Sequence, residues 1–190
     1  MSSRTVSYSS NLTVAPVMFW GLLLASLAIR LYAVITSPLE PSVDEAQYWL
    51  WGQTPELGYY SKPPLIAWIL AGTSSVFDHQ NFGQLLALRI SAPLIHTLTA
   101  LFLWQTGRLL FSDNAGRLAA VLWISLPAVG LGSFVMSTDT PLLCSGVRDY
   151  IVLFALMKLF IQIITGWDWS PFVSGWPRYQ NMQAFISFYL

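Results

Sequence analysis

Residues Val14 to Thr36 form an apolar run broken by a single charge, Arg30. About 20 helical residues, at roughly 1.5 Å each, cross the hydrocarbon layer of a bilayer. A run of this length therefore predicts a membrane-spanning helix. It also constrains the rest of the chain, because inside lipid each backbone amide and carbonyl must find its partner within the protein. A signal peptide is the rival reading, since Arg4 precedes the run and small residues lie at Ala25 and Ala28. Against it, the run is long for a cleaved segment and further apolar stretches come after it. Arg30 lies near one end, where an arginine is expected to snorkel to the headgroups.

Composition agrees with the membrane reading. Only 9% of the residues are charged and 55% are hydrophobic, whereas soluble domains carry about 25% charge. Nine Trp, eight Tyr and eleven Phe supply the amphipathic rings that settle at membrane interfaces. A net charge of zero offers no basic footprint for phosphates, so nucleic acid is not an expected partner and membrane lipids are. The lone Cys144 cannot form an internal disulfide, and cysteine usage is silent on compartment.

The chain then reads as an all-α, polytopic membrane protein with three to four spans. Residues 1–13 are a polar tail. Ser37 to about Leu86 is a long connection holding Glu40, Asp44, Glu45, Glu56 and Asp78 against Lys62 alone. Its aromatic cluster, Tyr48, Trp49, Trp51, Tyr59, Tyr60 and Trp68, predicts short helices lying in the interface. Pro63 to Phe77 is apolar but only about 15 residues long, short of a span, and reads as a re-entrant or interfacial helix. Leu85 to Phe111 predicts a second span, SDNAGR a tight turn, Leu118 to Met136 a third span, and STDTP at Ser137 to Pro141 the loop after it. Arg4, Arg108 and Arg117 fall on one side, which the positive-inside rule makes cytoplasmic. Asp44, Glu45 and Asp139 then share the outer face.

Acids beside a membrane are expensive unless they serve a function. Asp44 and Glu45 could supply a general base and its helper, because a carboxylate can take the proton of an attacking hydroxyl. They equally suit the start of a helix over AQYWLW, where Asp caps well and acids favour the first turn. Lys62, beside Pro63 and Pro64, could hold a phosphate as a point charge or touch a headgroup. Asp139, with Pro141 near the first helical position, reads as a helix start. His79 and His96 have no second ligand at helical spacing, so no zinc site is expected; no cofactor is indicated, with a divalent metal as the alternative.

With these residues on one face, the chain resembles the GT-C-type membrane glycosyltransferases that use polyprenyl-phosphate sugars, including protein O-mannosyltransferases and the lipid A aminoarabinose transferase. The resemblance rests on RLY at Arg30 to Tyr32, DEAQYW at Asp44 to Trp49, GYYSKPPLIAW at Gly58 to Trp68, LRISAPL at Leu88 to Leu94, GRLLF at Gly107 to Phe111 and STDTPLL at Ser137 to Leu143. It covers about Val14 to Leu143 and implies the N-terminal part of a GT-C fold. It further implies a polyprenyl-phosphate sugar donor, a lipid or protein acceptor, and inversion at the sugar by in-line displacement. Residue by residue, it places the acceptor-activating base at Asp44 with Glu45 adjacent, a second external acid at Asp139, and a substrate-binding set at Tyr59, Tyr60, Lys62 and Arg89. The location it implies is a bacterial plasma (inner) membrane with the site facing outward. Enzymes of this type are much longer, so the chain as given is expected to be truncated and inactive. The alternative is a non-catalytic multi-pass protein that binds a lipid carrier.

After Leu143 this resemblance stops. SGVRDY interrupts an apolar run, and GWDWSPFVSGWPRYQNMQ has neither helical nor strand period. One shifted codon phase of residues 144–190 reads as a plausible continuation without a stop; in it Met182–Gln183 can only encode Ala and Trp167–Asp168 only Gly. A frameshifted tail is one reading, and a divergent tail with a fourth span over Tyr150 to Ile164 is the other. The topology is open to a direct measurement. Cysteines introduced at Ser42 and Ser112 are expected to react with an impermeant maleimide from outside only at position 42. The reverse pattern would overturn the orientation.

Overall fold

The computed structural model describes residues 13–77 and 83–165. These form eight helices and no strand: α1 (Pro16–Thr36), α2 (Val43–Gln53), α3 (Leu65–Phe77), α4 (Gln84–Arg89), α5 (Ser91–Leu110), α6 (Asp113–Ser125), α7 (Pro127–Gly132) and α8 (Asp139–Thr165). By length and composition, three stretches can cross a membrane: Pro16–Thr36, Gln84–Leu110 and Asp139–Met157. α1 opens on Pro16, a residue suited to a first turn because that amide has no intrahelical partner to lose. α3 is a 13-residue helix, shorter than a span. The polar tail up to residue 12, Asp78, His79 and the chain beyond residue 165 lie outside the described residues.

Two elements differ from the sequence expectation. Leu118 to Met136 is not one helix, because Pro127 divides it into α6 and α7. Proline has no amide to donate and pushes the residue before it out of helical geometry; Leu126 accordingly sits at φ −66° and ψ 128°. The third long apolar helix is α8, which starts at Asp139 and passes through Leu143 and Cys144 without a break. The stretch expected as a fourth span, Tyr150 to Ile164, is its C-terminal part.

Two apolar clusters hold the helices together. Val14, Phe19, Leu23, Ala100 and Ala120 join α1, α5 and α6 at the end where the amide of Val14 donates to Asn114 (2.8 Å). Tyr48, Ile66, Leu70, Leu88, Ala92 and Met136 form the other, beneath α2 and α3. α8 leaves many large apolar side chains uncovered, among them Leu153, Leu156, Phe160 and Ile163. That is the expected surface of a helix that faces lipid.

The α5–α6 pair depends on two glycines. A Cβ on Gly107 would stand 2.6 Å from the Cα of Gly116, and one on Gly116 would stand 2.2 Å from the carbonyl oxygen of Trp104. Both obstacles are backbone, so neither can swing away. Gly116→Ala should therefore destabilise the fold by about 1–3 kcal/mol or more, the scale of overpacking. Gly72→Ala meets nothing within 4 Å and should be neutral to stabilising. Thermal unfolding in detergent checks both, and equal melting temperatures would refute the packing argument.

Candidate active site

The end of the molecule that carries α2 and α4 is organised by a buried ion pair. Ser42 caps α2: its hydroxyl accepts from the Glu45 amide (3.3 Å), while the Ser42 amide donates to Glu45 Oε2 (3.0 Å). This reciprocal capping box is the S-x-x-E pattern of a helix start. Glu45 faces inward from the third helical position and is fully buried. There Arg89, at the end of α4, meets it side by side: Nε donates to Oε1 and Nη2 to Oε2, each at 2.8 Å. The Met136 amide adds a bond to Oε1 (3.2 Å). The remaining guanidinium donors reach the carbonyls of Leu39 (2.9 Å) and Glu40 (3.1 Å). One ion pair thus fastens the 37–42 connection, α2, α4 and the segment leading to α8.

Burial by itself pushes the Glu45 carboxyl up. The Arg89 guanidinium and the amides of Ser42 and Met136 outweigh it and hold the group below the ordinary glutamate range.

Asp44 is not the helix cap; that position belongs to Ser42. It occupies the second helical position with its side chain exposed. Asp139 opens α8, its amide bonded to Ser137 Oγ (3.3 Å). Only two residues separate it from Met136, whose amide is on Glu45. Asp44 and Asp139 therefore flank the same buried pair.

Lys62 lies in the connection between α2 and α3, exposed. Side-chain bonds fold that connection down. The Tyr59 hydroxyl donates to the carbonyls of Trp51 (3.0 Å) and Thr54 (3.1 Å) and accepts from the Glu56 amide (2.9 Å). Its ring stacks on Trp51 at 4.7 Å, and the Trp68 indole donates to the Glu56 carbonyl (2.8 Å). Tyr60 is fully exposed. A cleft of about 200 Å³ opens between Pro63 and Ile66 on one side and Thr138, Pro141 and Ser145 on the other. Two of its lining residues, Pro63 and Thr138, are the sequence neighbours of Lys62 and Asp139.

The residues singled out by sequence thus separate into two groups. Asp44, Lys62, Asp139 and Tyr60 have their side chains exposed, whereas Glu45, Arg89 and Tyr59 spend their polar atoms on other parts of the fold. Sequence reasoning missed Ser42, although S-x-x-E announces it, and the Met136 amide, which no local pattern announces. Among the described residues no group of three or more His, Cys, Asp or Glu side chains is placed to hold a metal.

Residues 61–170, more than half of the chain, match the family described as dolichyl-phosphate-mannose-protein mannosyltransferase. The chain belongs to this family of GT-C-type membrane glycosyltransferases. The match crosses Leu143 and includes Lys62, Arg89, Asp139 and all of α8. The chain is also similar to a lipid A galacturonosyltransferase, RgtD, of Rhizobium johnstonii: 34% identical over 141 residues, covering 73% of this chain and 28% of that protein. The chain thus spans less than a third of the length of this relative. No solved structure matches.

A carboxyl held low by its partners stabilises the fold at pH above its unfolded value and gives that stability up as the pH falls through the folded value. Melting temperature in detergent should therefore drop on acidification below about pH 4.3, the ordinary glutamate value. Glu45→Gln should lower neutral-pH stability by about 3 kcal/mol, because it leaves Arg89 buried without its counter-charge. It should also flatten this acid limb. A Glu45→Gln protein that melts like the parent at pH 7 would remove the ion pair from the centre of the fold.

Proposed function

We propose that this chain carries part of the reaction centre of a glycosyltransferase working on the outer face of the membrane, one that takes its sugar from a polyprenyl-phosphate donor and gives it to a lipid hydroxyl. What supports this reading is the Glu45–Arg89 pair with exposed Asp44 next to it in the chain, and a cleft lined by Pro63 and Thr138, the sequence neighbours of Lys62 and Asp139. Asp44 is the base: it takes the proton of the acceptor hydroxyl as the oxygen attacks the anomeric carbon. The bond from that carbon to the phosphate oxygen breaks on the opposite side, and the polyprenyl phosphate leaves with the electron pair. Lys62 meets the phosphate as a point charge, and Tyr60 lies beside it. Asp139 orients the acceptor from the other rim.

Glu45 and Arg89 hold Asp44 in place and touch neither substrate. Positioning of this kind accounts for much of the rate when the reacting groups are polar and weakly nucleophilic. The lipid acceptor is supported by the lipid A substrate for which the galacturonosyltransferase relative is named. The arginines Arg108 and Arg117, at the α5–α6 turn, support an orientation with the site outside a bacterial plasma membrane.

The test is sugar transfer in membranes carrying a form of the protein extended to the length of its relative. Asp44→Asn keeps size and helix-starting ability but removes basicity, so the rate should fall about 10²–10⁴-fold. Lys62→Ala should raise the donor KM with less effect on the acceptor. Near-parental transfer by Asp44→Asn would reduce Asp44 to a helix-terminal residue and sink the assignment.

A further inference from the structure

Snorkelling would take Arg30 outward, but it is 6% exposed and turned into the protein. It reaches the break between α6 and α7. A helix leaves its last four carbonyls without partners, and Pro127 has no amide with which to continue the ladder. The Leu126 amide takes the Trp123 carbonyl (3.2 Å). Arg30 Nη2 takes the Ile124 carbonyl at 2.7 Å. A cation thus sits at the negative end of α6, where the helix dipole favours it.

His96 of α5 stands at the same level, 4% exposed. Its carbonyl accepts from the Trp123 indole (3.2 Å), and the two rings lie 6.0 Å apart. On the far side of the break Gly132 lies against it, since a Cβ there would stand 3.4 Å from Nε2. Arg30 Nη1 and both His96 ring nitrogens are buried without a hydrogen-bond partner among the described residues. None of these atoms is used by the proposed transfer.

We propose that Arg30 and His96 form an intramembrane staple across the Leu126–Pro127 break, and that this staple sets the position of the 133–138 connection beneath the reaction centre. Arg30 Nη2 closes the end of α6 at the Ile124 carbonyl, while His96 holds Trp123 on one side of the break and backs Gly132 on the other. From Gly132 only a short connection leads to the Met136 amide on Glu45 and to Asp139. Both residues are positioning residues, and their part in catalysis rests on the glycosyltransferase reading; the staple itself does not.

Accessibility of residue 136 tests the staple without any sugar donor. Met136 is 1% exposed, so in a Cys144→Ala background a Met136→Cys thiol should react slowly with maleimide. Adding Arg30→Met should raise that rate about tenfold or more, the scale of one hydrogen bond to a charged group. Arg30→Lys, which keeps a charged donor for Ile124, should stay within about twofold of the parent, and His96→Phe should raise the rate about fivefold. The melting temperature in detergent reports whether a variant is globally unfolded. If Arg30→Met does not accumulate as folded protein, Arg30→Lys and His96→Phe carry the test. Rates unchanged in Arg30→Met, or in His96→Phe where that variant stands alone, would overturn the staple. Near-parental transfer by Asp44→Asn in the extended protein would count against the glycosyltransferase reading and leave the labelling result intact.

Discussion

The half of this molecule that carries α2 and α4 depends on the Glu45–Arg89 pair. Side chains 44 residues apart meet in a buried, two-bond contact, and backbone from other segments takes up further donors and acceptors of the two. A buried ion pair adds little net stability against an apolar replacement, because desolvation cancels most of the attraction. What it does supply is registration. An apolar contact tolerates sliding, whereas a guanidinium fork on a carboxylate fits in one arrangement. The adjacent Asp44 inherits that definition through one peptide bond.

This arrangement divides the labour between neighbours. Of the adjacent acids, Glu45 turns inward and is consumed by structure, and Asp44 turns outward into solvent. Tyr59 and Tyr60 divide likewise: one pins the 54–64 connection and the other is left on the surface. In both pairs neighbouring residues of similar chemistry point in opposite directions, so the outward group is braced by its neighbour.

The large features of the fold are legible in the sequence because they come from local physics. The apolar run of α1 and the short α3 need only length and composition, and the aromatic DEAQYW segment announces an interfacial helix. The capping box is equally local, since Ser42 and Glu45 stand at the right spacing, although two adjacent acids draw the eye to Asp44 as the cap. Pro127 likewise signals a break inside a stretch whose apolar length suggests one span. Glu45 meeting Arg89, or Arg30 meeting Ile124, is not legible, because each contact joins segments distant in the chain and is fixed only when the helices pack. The Arg30 expectation fails for that reason. Snorkelling is the default for an arginine with lipid on all sides, and here a broken helix end offers a nearer acceptor.

The break at Pro127 also bears on how the chain enters the membrane. α6 is 13 residues long, too short to be taken up as an independent span of roughly 20 residues. Its close glycine packing on α5 offers another route, in which the two helices pair at their turn and partition into the bilayer as one hairpin. On that route the small residues at 107 and 116 act during biosynthesis, before any site exists. Their loss would show first as failed insertion and turnover of the nascent chain.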